Sequence, residues 1–464
     1  MNFYEILGSI LRFKNIKNID YDFFENNDTF LRSKRIAANA NVNRFWDQGV
    51  IPYQFEGNFT GQEYLLIRKA MQVWEKSTCV KFVPRIQDLH PKYVAIDKLS
   101  CGCCYYYNYF QTGPHQLSLN NGCFHVRTVL HELGHVIGLE HEHIRPDRDE
   151  NIKIIEDNIK PEFMNDFEKL SSDEIDTLNQ PYDHESIMHY PQKAFAINKT
   201  MNTLVPINGI DSQIFNIGFR KELSERDIIG TNLLYNCSVC GRTLFDPSGD
   251  FGSPNYSIDS FHRDYHCQWR IPASSGEQVV LNITSFDLAD IDYLRIRYGY
   301  WNKNASARYC GSRASSIVST NNYLLIDYVR KSYQTNNTGF TAIYSKTCGF
   351  NMKLKSNESM ILESPNFPNN YEPNKKCTWC LSAPRRHYFS IKFNYFDIEP
   401  SKRCINDYIK MKVLDRFKAG FLPRECGSTN KSKIIKSNKI LIEFSSNDKI
   451  QAGGFSATIS TISL

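Results

Sequence analysis

The chain has 464 residues, of which 41% are hydrophobic and 23% charged, and its net charge is +5. This length is too great for one hydrophobic core, and the composition excludes a collagen-like or grossly disordered chain. The small positive charge forms no block and accompanies no nucleic-acid-binding motif, and no stretch reaches the roughly 18 apolar residues of a membrane span. We therefore expect about two to four folded domains, no nucleic-acid partner and no transmembrane segment.

The 14 cysteines all lie from Cys79 onward. Secreted proteins use such disulfide frameworks to reinforce small cores, whereas cytosolic proteins rarely keep them. Sequences of the form Asn-X-Ser/Thr, such as that at Asn282, agree with an extracellular location. Residues 1–11 form too short an apolar run for a signal peptide and include Glu5. No signal peptide is visible in this chain, so the cysteine pattern is what predicts a secreted, extracellular protein.

Residues 1–35 contain no cysteine and end in the basic sequence Arg32-Ser33-Lys34-Arg35. A furin-type processing protease cuts sequences of this form. We therefore predict that residues 1–35 are the remnant of a propeptide, with a solvated basic turn as the alternative interpretation.

Hydrophobic periodicity divides the rest of the chain into a helical part and a strand-rich part. Apolar residues recur at helical spacing from Thr60 to Ser77, and further helices are predicted at about Phe124–Ile137 and near Ser224–Leu234. From Cys240 onward, short strands such as Val279–Ile283 alternate with turns rich in Gly, Pro and Asn.

The strand-rich part repeats itself. Cys267-Gln-Trp-Arg returns as Cys377-Thr-Trp-Cys, and Gly339-Phe returns as Gly454-Phe. Two strand-rich copies of this kind predict two β-sandwich modules.

The sequence His131-Glu-Leu-Gly-His135 places two imidazoles one turn apart on one helix face, where both can bind the same zinc ion. Gly138 would end that helix with a sharp turn and bring His141 round as the third ligand. Any one of these histidines alone could be a hydrogen-bonded core residue. The whole pattern His-Glu-X-X-His-X-X-Gly-X-X-His is the metzincin signature, so we predict one catalytic Zn²⁺ ion.

Three neutral imidazoles leave the zinc a position for water, as hydrolysis requires. Glu132 is then the general base that takes a proton from the zinc-activated water as it attacks a peptide carbonyl. Downstream, Ser186-Ile-Met-His-Tyr190 supplies the expected Met-turn, with Met188 as an apolar floor beneath the zinc.

The extended string His131–Asp149 resembles the signature of the astacin family, and Gly49–Tyr53 matches a family opening strand. The resemblance implies an α+β metzincin protease domain over residues 36–237. It also implies that Tyr190 is a switchable zinc ligand that moves to stabilise the oxyanion. Glu142 would anchor the new N-terminus after propeptide removal, because a buried carboxylate needs a cationic partner.

A narrower resemblance, to the tolloid/procollagen C-proteinase subgroup, comes from Cys101-Gly-Cys-Cys104 and from the Cys-Ser-Val-Cys240-Gly sequence. The two repeats resemble CUB domains, so two all-β CUB sandwich domains are expected at 240–347 and 348–464. The subgroup implies extracellular protein substrates, namely matrix precursors or morphogen antagonists docked through the CUB domains and often cut before an acidic residue. Arg220 is a candidate for selecting that acid, with a solvated surface arginine as the alternative.

The resemblance also implies a set of disulfides. The implied pairs are Cys79–Cys237, Cys101–Cys123, Cys103–Cys104, Cys240–Cys267, Cys348–Cys377 and Cys404–Cys426. Cys310 and Cys380 are left over and could pair with each other, bridge two chains or stay free. In the propeptide, Asp28 is a candidate inhibitory zinc ligand within a degenerate copy of the family's blocking motif.

The second CUB module is a candidate for binding Ca²⁺. Glu399 and Asp407 flank a cysteine, and Asp448 or Asn447 follows in a later loop. Hard oxygen ligands from converging loops suit Ca²⁺, and exposed loop acids without an ion are the alternative. The first module keeps Asp292 but lacks the other acids, so no site is expected there.

The function that these patterns predict is that of a secreted zinc metalloendopeptidase with tolloid-like substrates. One alternative is a broad-specificity hatching or digestive astacin, but ordinary astacins carry one cysteine where this chain has the Cys-Gly-Cys-Cys loop. The other is a catalytically silent CUB binding protein, which the intact ligand set and Glu132 disfavour.

Overall fold

The computed structural model describes residues 38–39, 45–108, 110, 112–207, 217–238, 240–254, 265–298, 306–309, 316–331, 338–414, 420–428 and 432–463. Asp28, the basic sequence ending at Arg35 and Cys310 lie outside these ranges. By its internal contacts the chain divides into two compact units, Met1–Asn58 with Ala70–Cys237 and Phe59–Lys69 with Ser238–Leu464. Among the described residues, no helix is long and apolar enough to cross a membrane.

In the described part of the chain before residue 240, three α-helices are present, as the periodicity predicts. They are α1 (Gly61–Ser77), α2 (Val126–Ile137) and α3 (Glu225–Leu234). Their ends agree with the predicted ends to within two residues. The start of α3 is set by a capping box, in which the Ser224 side chain accepts the Asp227 N–H and the Asp227 carboxylate accepts the Ser224 N–H.

The described strands that accompany these helices lie mostly in one sheet. They are β1 (Ala38–Asn39), β2 (Val50–Phe55), β3 (Lys81–Pro84), β4 (Lys92–Asp97), β5 (Cys103–Tyr106), β6 (Gly113–Leu119), β7 (Ile152–Ile154), β8 (Ile175–Asp176) and β9 (Leu204–Pro206). The sheet order is β3-β2-β4-β6-β5, with β5 antiparallel to β6 and the other pairs parallel. Helix α2 packs against β5 and β6, and the Trp74 indole donates a 3.1 Å hydrogen bond to the Leu130 carbonyl of α2.

Residues 240–348 contain two four-stranded antiparallel sheets, β10-β17-β12-β15 and β11-β16-β13-β14. The strands are β10 (Ser248–Gly252), β11 (Tyr265–Pro272), β12 (Glu277–Asp287), β13 (Tyr293–Arg297), β14 (Ser306–Tyr309), β15 (Ser316–Val318), β16 (Tyr323–Arg330) and β17 (Gly339–Cys348). Burial alternates along β12, so that Val279, Leu281 and Ile283 enter the core.

The second repeat has the same architecture in two five-stranded sheets, β18-β20-β26-β22-β23 and β19-β27-β21-β24 with β25 also on β21. Its strands are β18 (Asn351–Lys353), β19 (Ser359–Glu363), β20 (Lys376–Ser382), β21 (His387–Ile398), β22 (Tyr408–Val413), β23 (Gly420–Phe421), β24 (Gly427–Ser428), β25 (Lys433–Ile435), β26 (Lys439–Ser445) and β27 (Gly454–Ser463). The expected α+β domain followed by two all-β sandwiches is therefore confirmed.

The structure contains four of the implied disulfides, Cys79–Cys237, Cys240–Cys267, Cys348–Cys377 and Cys404–Cys426. The other two implied pairs, Cys101–Cys123 and Cys103–Cys104, are wrong, because Cys101 bonds to Cys104 and Cys103 to Cys123. Cys103 and Cys104 are successive residues of β5, and successive side chains of a strand point to opposite faces. Among the described cysteines, Cys380 is unpaired.

Candidate metal centre

Three histidine rings converge beside α2. The Nε2 atom of His141 lies 3.2 Å from that of His131 and 3.2 Å from that of His135. His131 and His135 are four residues apart on α2, so their side chains share one face of the helix. Within the described ranges, these residues are the one cluster of His, Cys, Asp or Glu able to hold a metal ion.

Backbone carbonyls set the tautomer of the two helix histidines. Nδ1–H of His131 donates to the Ile187 carbonyl at 2.9 Å, and Nδ1–H of His135 donates to the Leu139 carbonyl at 2.9 Å. Because a carbonyl can only accept, each Nδ1 carries a proton and each Nε2 keeps its lone pair for a metal. Burial, reinforced by nearby histidines, lowers the pKa of His131 and of His141 well below 6.5, so both rings are neutral.

The turn after α2 brings His141 back to the helix. Gly138 adopts a left-handed φ of 110°, and its N–H donates to the carbonyls of Gly134 and His135. A Cβ atom at this position would lie 3.2 Å from the Phe45 ring. Both the backbone conformation and the space therefore require glycine here.

The donor set fits zinc. A tetrahedral site with Zn–N bonds of about 2.0–2.1 Å separates its nitrogen ligands by about 3.3–3.4 Å, close to the 3.2 Å observed here. Neutral imidazole nitrogen is a preferred zinc ligand, and three protein ligands leave a fourth position for water or substrate, as catalytic zinc sites require.

Glu132, next to the first ligand on α2, is 2% exposed. Burial raises its pKa to about 8, and the positive charge of Arg127 acts in the opposite direction. A bound cation would also lower this pKa, because it stabilises the carboxylate. Glu132 is thus a buried carboxyl group that directly follows His131 on α2 and whose pKa depends on nearby charges.

The segment Ser186–Tyr190, the predicted Met-turn, contacts His131 through the Ile187 carbonyl and is held by α3. Asp227 of α3 accepts hydrogen bonds from the Ser186 hydroxyl at 2.7 Å and from the Ile187 N–H at 2.9 Å. The buried Met188 follows, and its carbonyl accepts the Glu142 N–H at 3.2 Å. Asp227 is not among the predicted site residues, although the spacing of Ser224 and Asp227 is that of a capping box.

Tyr190 is 2% exposed and lies between two histidines. Its ring stacks on that of His143, with centroids 3.7 Å apart, and meets the His141 ring edge-on at 4.5 Å. Burial and the negative charges of Asp166 and Glu132 raise the pKa of Tyr190 well above 10. The hydroxyl therefore keeps its proton and is available as a hydrogen-bond donor near the third ligand.

Glu142 is buried beside a small cavity. One of its oxygens accepts hydrogen bonds from Arg145 at 2.9 Å and from the Asp183 N–H at 2.8 Å. Burial raises the pKa of Glu142 to about 8, with the Arg145 charge acting in the opposite direction. Arg145 itself is 1% exposed and also pairs with Asp147, so Glu142 belongs to a buried ionic network that the sequence analysis did not anticipate.

The candidate calcium ligands are only partly brought together. Asp407 is fully buried and accepts hydrogen bonds from the Tyr371 hydroxyl at 2.6 Å and the Asn447 N–H at 2.7 Å. The Asn447 side-chain amide donates to Glu399 at 3.3 Å. Asp448 is exposed, and it is Asn447 that contacts both carboxylates.

The two arginines near the site differ in their partners. Arg220 forms an ion pair with the exposed Glu185. Arg127, which the sequence analysis did not single out, donates from Nη2 to the His189 carbonyl of the Met-turn at 3.2 Å. A cation one helical turn before the first zinc ligand was the signal that could have identified it.

Known proteins resemble both parts of the chain. The model of the peptidase family Astacin matches residues 38–236, and the CUB-domain model matches residues 240–344 and 348–459. Bone morphogenetic protein 1 of Xenopus laevis is 37% identical over 431 residues, which cover 90% of this chain and 60% of that protein.

Two further relatives have similar matches. The bone morphogenetic protein 1 homolog of Strongylocentrotus purpuratus is 36% identical over 439 residues, which cover 91% of this chain and 67% of that protein. The dorsal-ventral patterning protein tolloid of Drosophila melanogaster is 34% identical over 460 residues, which cover 92% of this chain and 43% of that protein. The chain therefore spans between 43% and 67% of the length of these three relatives.

Proposed function

Because the chain belongs to the astacin family of metallopeptidases and carries two CUB domains, we propose that it is a secreted zinc metalloendopeptidase that cuts extracellular proteins. The observation that carries this proposal is the convergence of three buried histidines, in which Nε2 of His141 lies 3.2 Å from Nε2 of His131 and 3.2 Å from that of His135, with the buried carboxyl group of Glu132 next to His131 in the sequence. A structural zinc site would instead close the fourth position with a protein ligand.

The chain's own residues have separate tasks in peptide hydrolysis. His131, His135 and His141 hold the zinc, which when bound supplies Lewis acidity that acidifies water and polarises the peptide carbonyl. Glu132 accepts a proton from the attacking water and returns it to the leaving amine. Tyr190 would be a switchable ligand of the zinc, and its hydroxyl, whose raised pKa keeps the proton in place, would donate a hydrogen bond to the developing oxyanion. Met188 supports the ligands from below.

The proposed domain layout is a propeptide at 1–35, the protease domain at 36–237 and CUB domains at 240–347 and 348–464. After cleavage behind Arg35, the new N-terminal amine would pair with Glu142. The buried position of Glu142 and the cavity beside it support this role. An amine in that cavity would join the network that Glu142 already forms with Arg145.

The CUB domains would dock extracellular substrates, with matrix precursors and morphogen antagonists as the classes that the tolloid-like cysteine loop suggests. In the second CUB domain we assign Ca²⁺ to Glu399 and Asp407, with an oxygen from Asn447 or Asp448. The burial of both carboxylates around Asn447 supports this assignment. Calcium should raise the melting temperature of the wild-type protein and leave that of the Asp407→Asn variant unchanged.

The experiment that tests the function is cleavage of a peptide library by the purified chain processed after Arg35. Cleavage that stops with a zinc chelator and returns with added Zn²⁺ would support the endopeptidase, and a preference for acidic residues near the cut would support the tolloid-like assignment. Cleavage without such a preference would indicate a broad-specificity astacin. No cleavage by the zinc-loaded, processed chain would favour the silent CUB binding protein.

A further inference from the structure

The second CUB domain carries an excess of positive charge that the rest of the chain does not share. Residues 348–464 contain 19 lysines and arginines against 10 aspartates and glutamates, so their net charge is +9. The whole chain carries +5, and residues 1–347 together therefore carry −4. Such a difference in charge between parts of one chain indicates a polyanionic partner for the basic part.

Much of this charge lies on the outer face of the sheet β18-β20-β26-β22-β23. Buried residues of its strands, such as Trp379, Met411 and Ile442, enter the core, and the residues that alternate with them point away from it. All the lysines at these outward positions are exposed or half-buried. They form a surface that we call the lysine face, which consists of Lys353, Lys376, Lys410, Lys412 and Lys439.

The register of the strands distributes these lysines along the whole face. Lys353 and Lys439 share one row across the sheet, with one strand between them. Lys412, Lys410 and Lys376 lie in the next three rows. Because successive rows are two residues apart, the four rows extend over about 20 Å along the strands. The positive charge therefore forms a track that an extended polymer can follow.

Little negative charge lies on this face. Among the described residues that point outward from the sheet, Glu443 is the one acid, and it pairs with Lys410 at 3.6 Å. No described carboxylate lies within ion-pair distance of the other four lysines. On the other sheet of the domain, in contrast, Lys433 pairs with Glu425. The lysine face thus keeps an excess of positive charge that is not neutralised by contact.

An aromatic ring holds two of these ammonium groups at the surface. The Nζ atoms of Lys410 and Lys412 lie 3.5 Å and 4.8 Å from the centroid of the Phe421 ring. Phe421 belongs to the edge strand β23 and is exposed. A cation–π contact positions an ammonium group but leaves its positive charge in place, so both charges can still attract an anion.

The sandwich architecture does not itself require such a face. In the corresponding sheet of the first CUB domain, β11-β16-β13-β14, the buried Asp327 pairs with Arg295 at 3.1 Å and with Arg297 at 3.1 Å. The arginines of that sheet therefore have a contacting carboxylate. The lysine face is a property of the second domain alone among the two repeats.

We propose that the lysine face of the second CUB domain binds a sulfated glycosaminoglycan. The proposal goes beyond proteolysis, and it rests on the extracellular location that is part of the proposed function. A sulfated glycan carries anionic groups along its whole length, which matches lysines distributed over about 20 Å of a sheet face. Clustered basic residues of this kind are typical of heparin-binding surfaces. Such binding would retain the protein in a glycan-rich matrix.

The test measures the Kd of the full chain for heparin at several salt concentrations. Each ionic contact with a polyanion releases a counterion, so the wild-type Kd should rise steeply with salt. The double variant Lys412→Gln/Lys439→Gln should bind about ten- to thirtyfold more weakly at about 0.15 M salt and depend less on salt. Glutamine keeps most of the aliphatic stem, and either single variant provides the test if the double variant fails to fold.

The matched control removes the same charge elsewhere in the domain. Lys392 lies on β21 of the other sheet and Lys436 follows β25, and both are exposed. The double variant Lys392→Gln/Lys436→Gln should keep the heparin Kd within about threefold of the wild type. Melting temperatures establish that each variant is folded, and zinc-dependent cleavage of a short peptide should be the same in all three proteins.

Desulfated heparin, poly-glutamate and phosphatidylserine vesicles identify the partner. All three should bind the wild type more weakly than heparin does. Absence of heparin binding by the wild type would overturn the proposal, as would an equal loss in the two double variants. Undiminished binding of desulfated heparin, or tighter binding of poly-glutamate or the vesicles, would also overturn it. Because binding is measured without cleavage, each of these results would leave the proposed proteolytic function intact.

Discussion

The sulfur atom of Met188 lies directly against Gly134, so that a Cβ atom on Gly134 would overlap with it. Gly134 stands between Glu132 and His135 on α2. The thioether therefore occupies space that the helix leaves open only because this residue has no side chain. Met188 therefore packs directly against the helix that carries His131 and His135.

Gly134→Ala should consequently damage the site even though alanine favours helices. Insertion of one methyl group into this packed contact should lower the free energy of unfolding by about 1–3 kcal/mol and reduce zinc-dependent activity. Gly420→Ala is a matched control, because no atom lies within 4 Å of a Cβ atom at that position. Equal melting temperatures and activities in the two variants would show that the contact with Met188 is unimportant.

The disulfides of the Cys-Gly-Cys-Cys loop can be distinguished by removing one cysteine. Since Cys101 bonds to Cys104 in the structure, Cys101→Ser should release the thiol of Cys104. Alkylation under non-reducing conditions, followed by peptide mass spectrometry, should find the label on Cys104. A label on Cys123 would instead support the pairing that the resemblance implies.

His90 should contribute to the loss of stability in acid. Its Nδ1 accepts the Ile86 N–H at 2.9 Å and therefore needs a neutral ring. Burial, with help from the Arg85 charge, lowers the pKa of His90 from 6.5 to about 4. The folded state thus takes up this proton at lower pH than the unfolded state, so the contribution is present above pH 6.5 and is lost as the pH falls through 4.

The measurement is the melting temperature at about pH 7 and about pH 4.5, on either side of the ordinary histidine pKa. His90→Asn, whose amide oxygen can accept the same hydrogen bond, should lose less on acidification than the wild type. His125→Asn, at an exposed histidine, is the control. Acidification also weakens zinc binding, but that loss is common to all three proteins. An equal change for His90→Asn and the wild type would contradict the prediction.

Local patterns in the sequence predicted the helices and the two sandwiches, because hydrophobic periodicity and capping act over neighbouring residues. They also predicted the histidine cluster, since ligands four residues apart on a helix must share a face. The cysteine loop was predicted wrongly, because its pairing depends on which face of β5 Cys103 occupies. The contact of Arg127 with His189 joins residues 62 positions apart, and no local pattern predicts it.

The candidate calcium site shows a further limit of sequence reasoning. Ca²⁺ binds carboxylate and amide oxygens, so the sequence makes both Asp448 and Asn447 candidate ligands. The fold turns the neutral Asn447 toward Asp407 and Glu399 and leaves Asp448 exposed. The direction of a side chain in a loop depends on the hydrogen bonds of the loop backbone, such as that of the Asn447 N–H to Asp407. The residue types alone do not predict these bonds.

The most direct test of the account is the activity of Glu132→Gln at equal zinc content. With zinc held by the three histidines and Glu132 acting on the proton, this variant should retain one zinc ion per chain and lose about 10²- to 10⁴-fold in kcat on a cleavable peptide. The exposed Glu162→Gln is the control and should retain both zinc and activity. Unchanged cleavage by zinc-loaded Glu132→Gln would contradict the assignment of Glu132 as the general base.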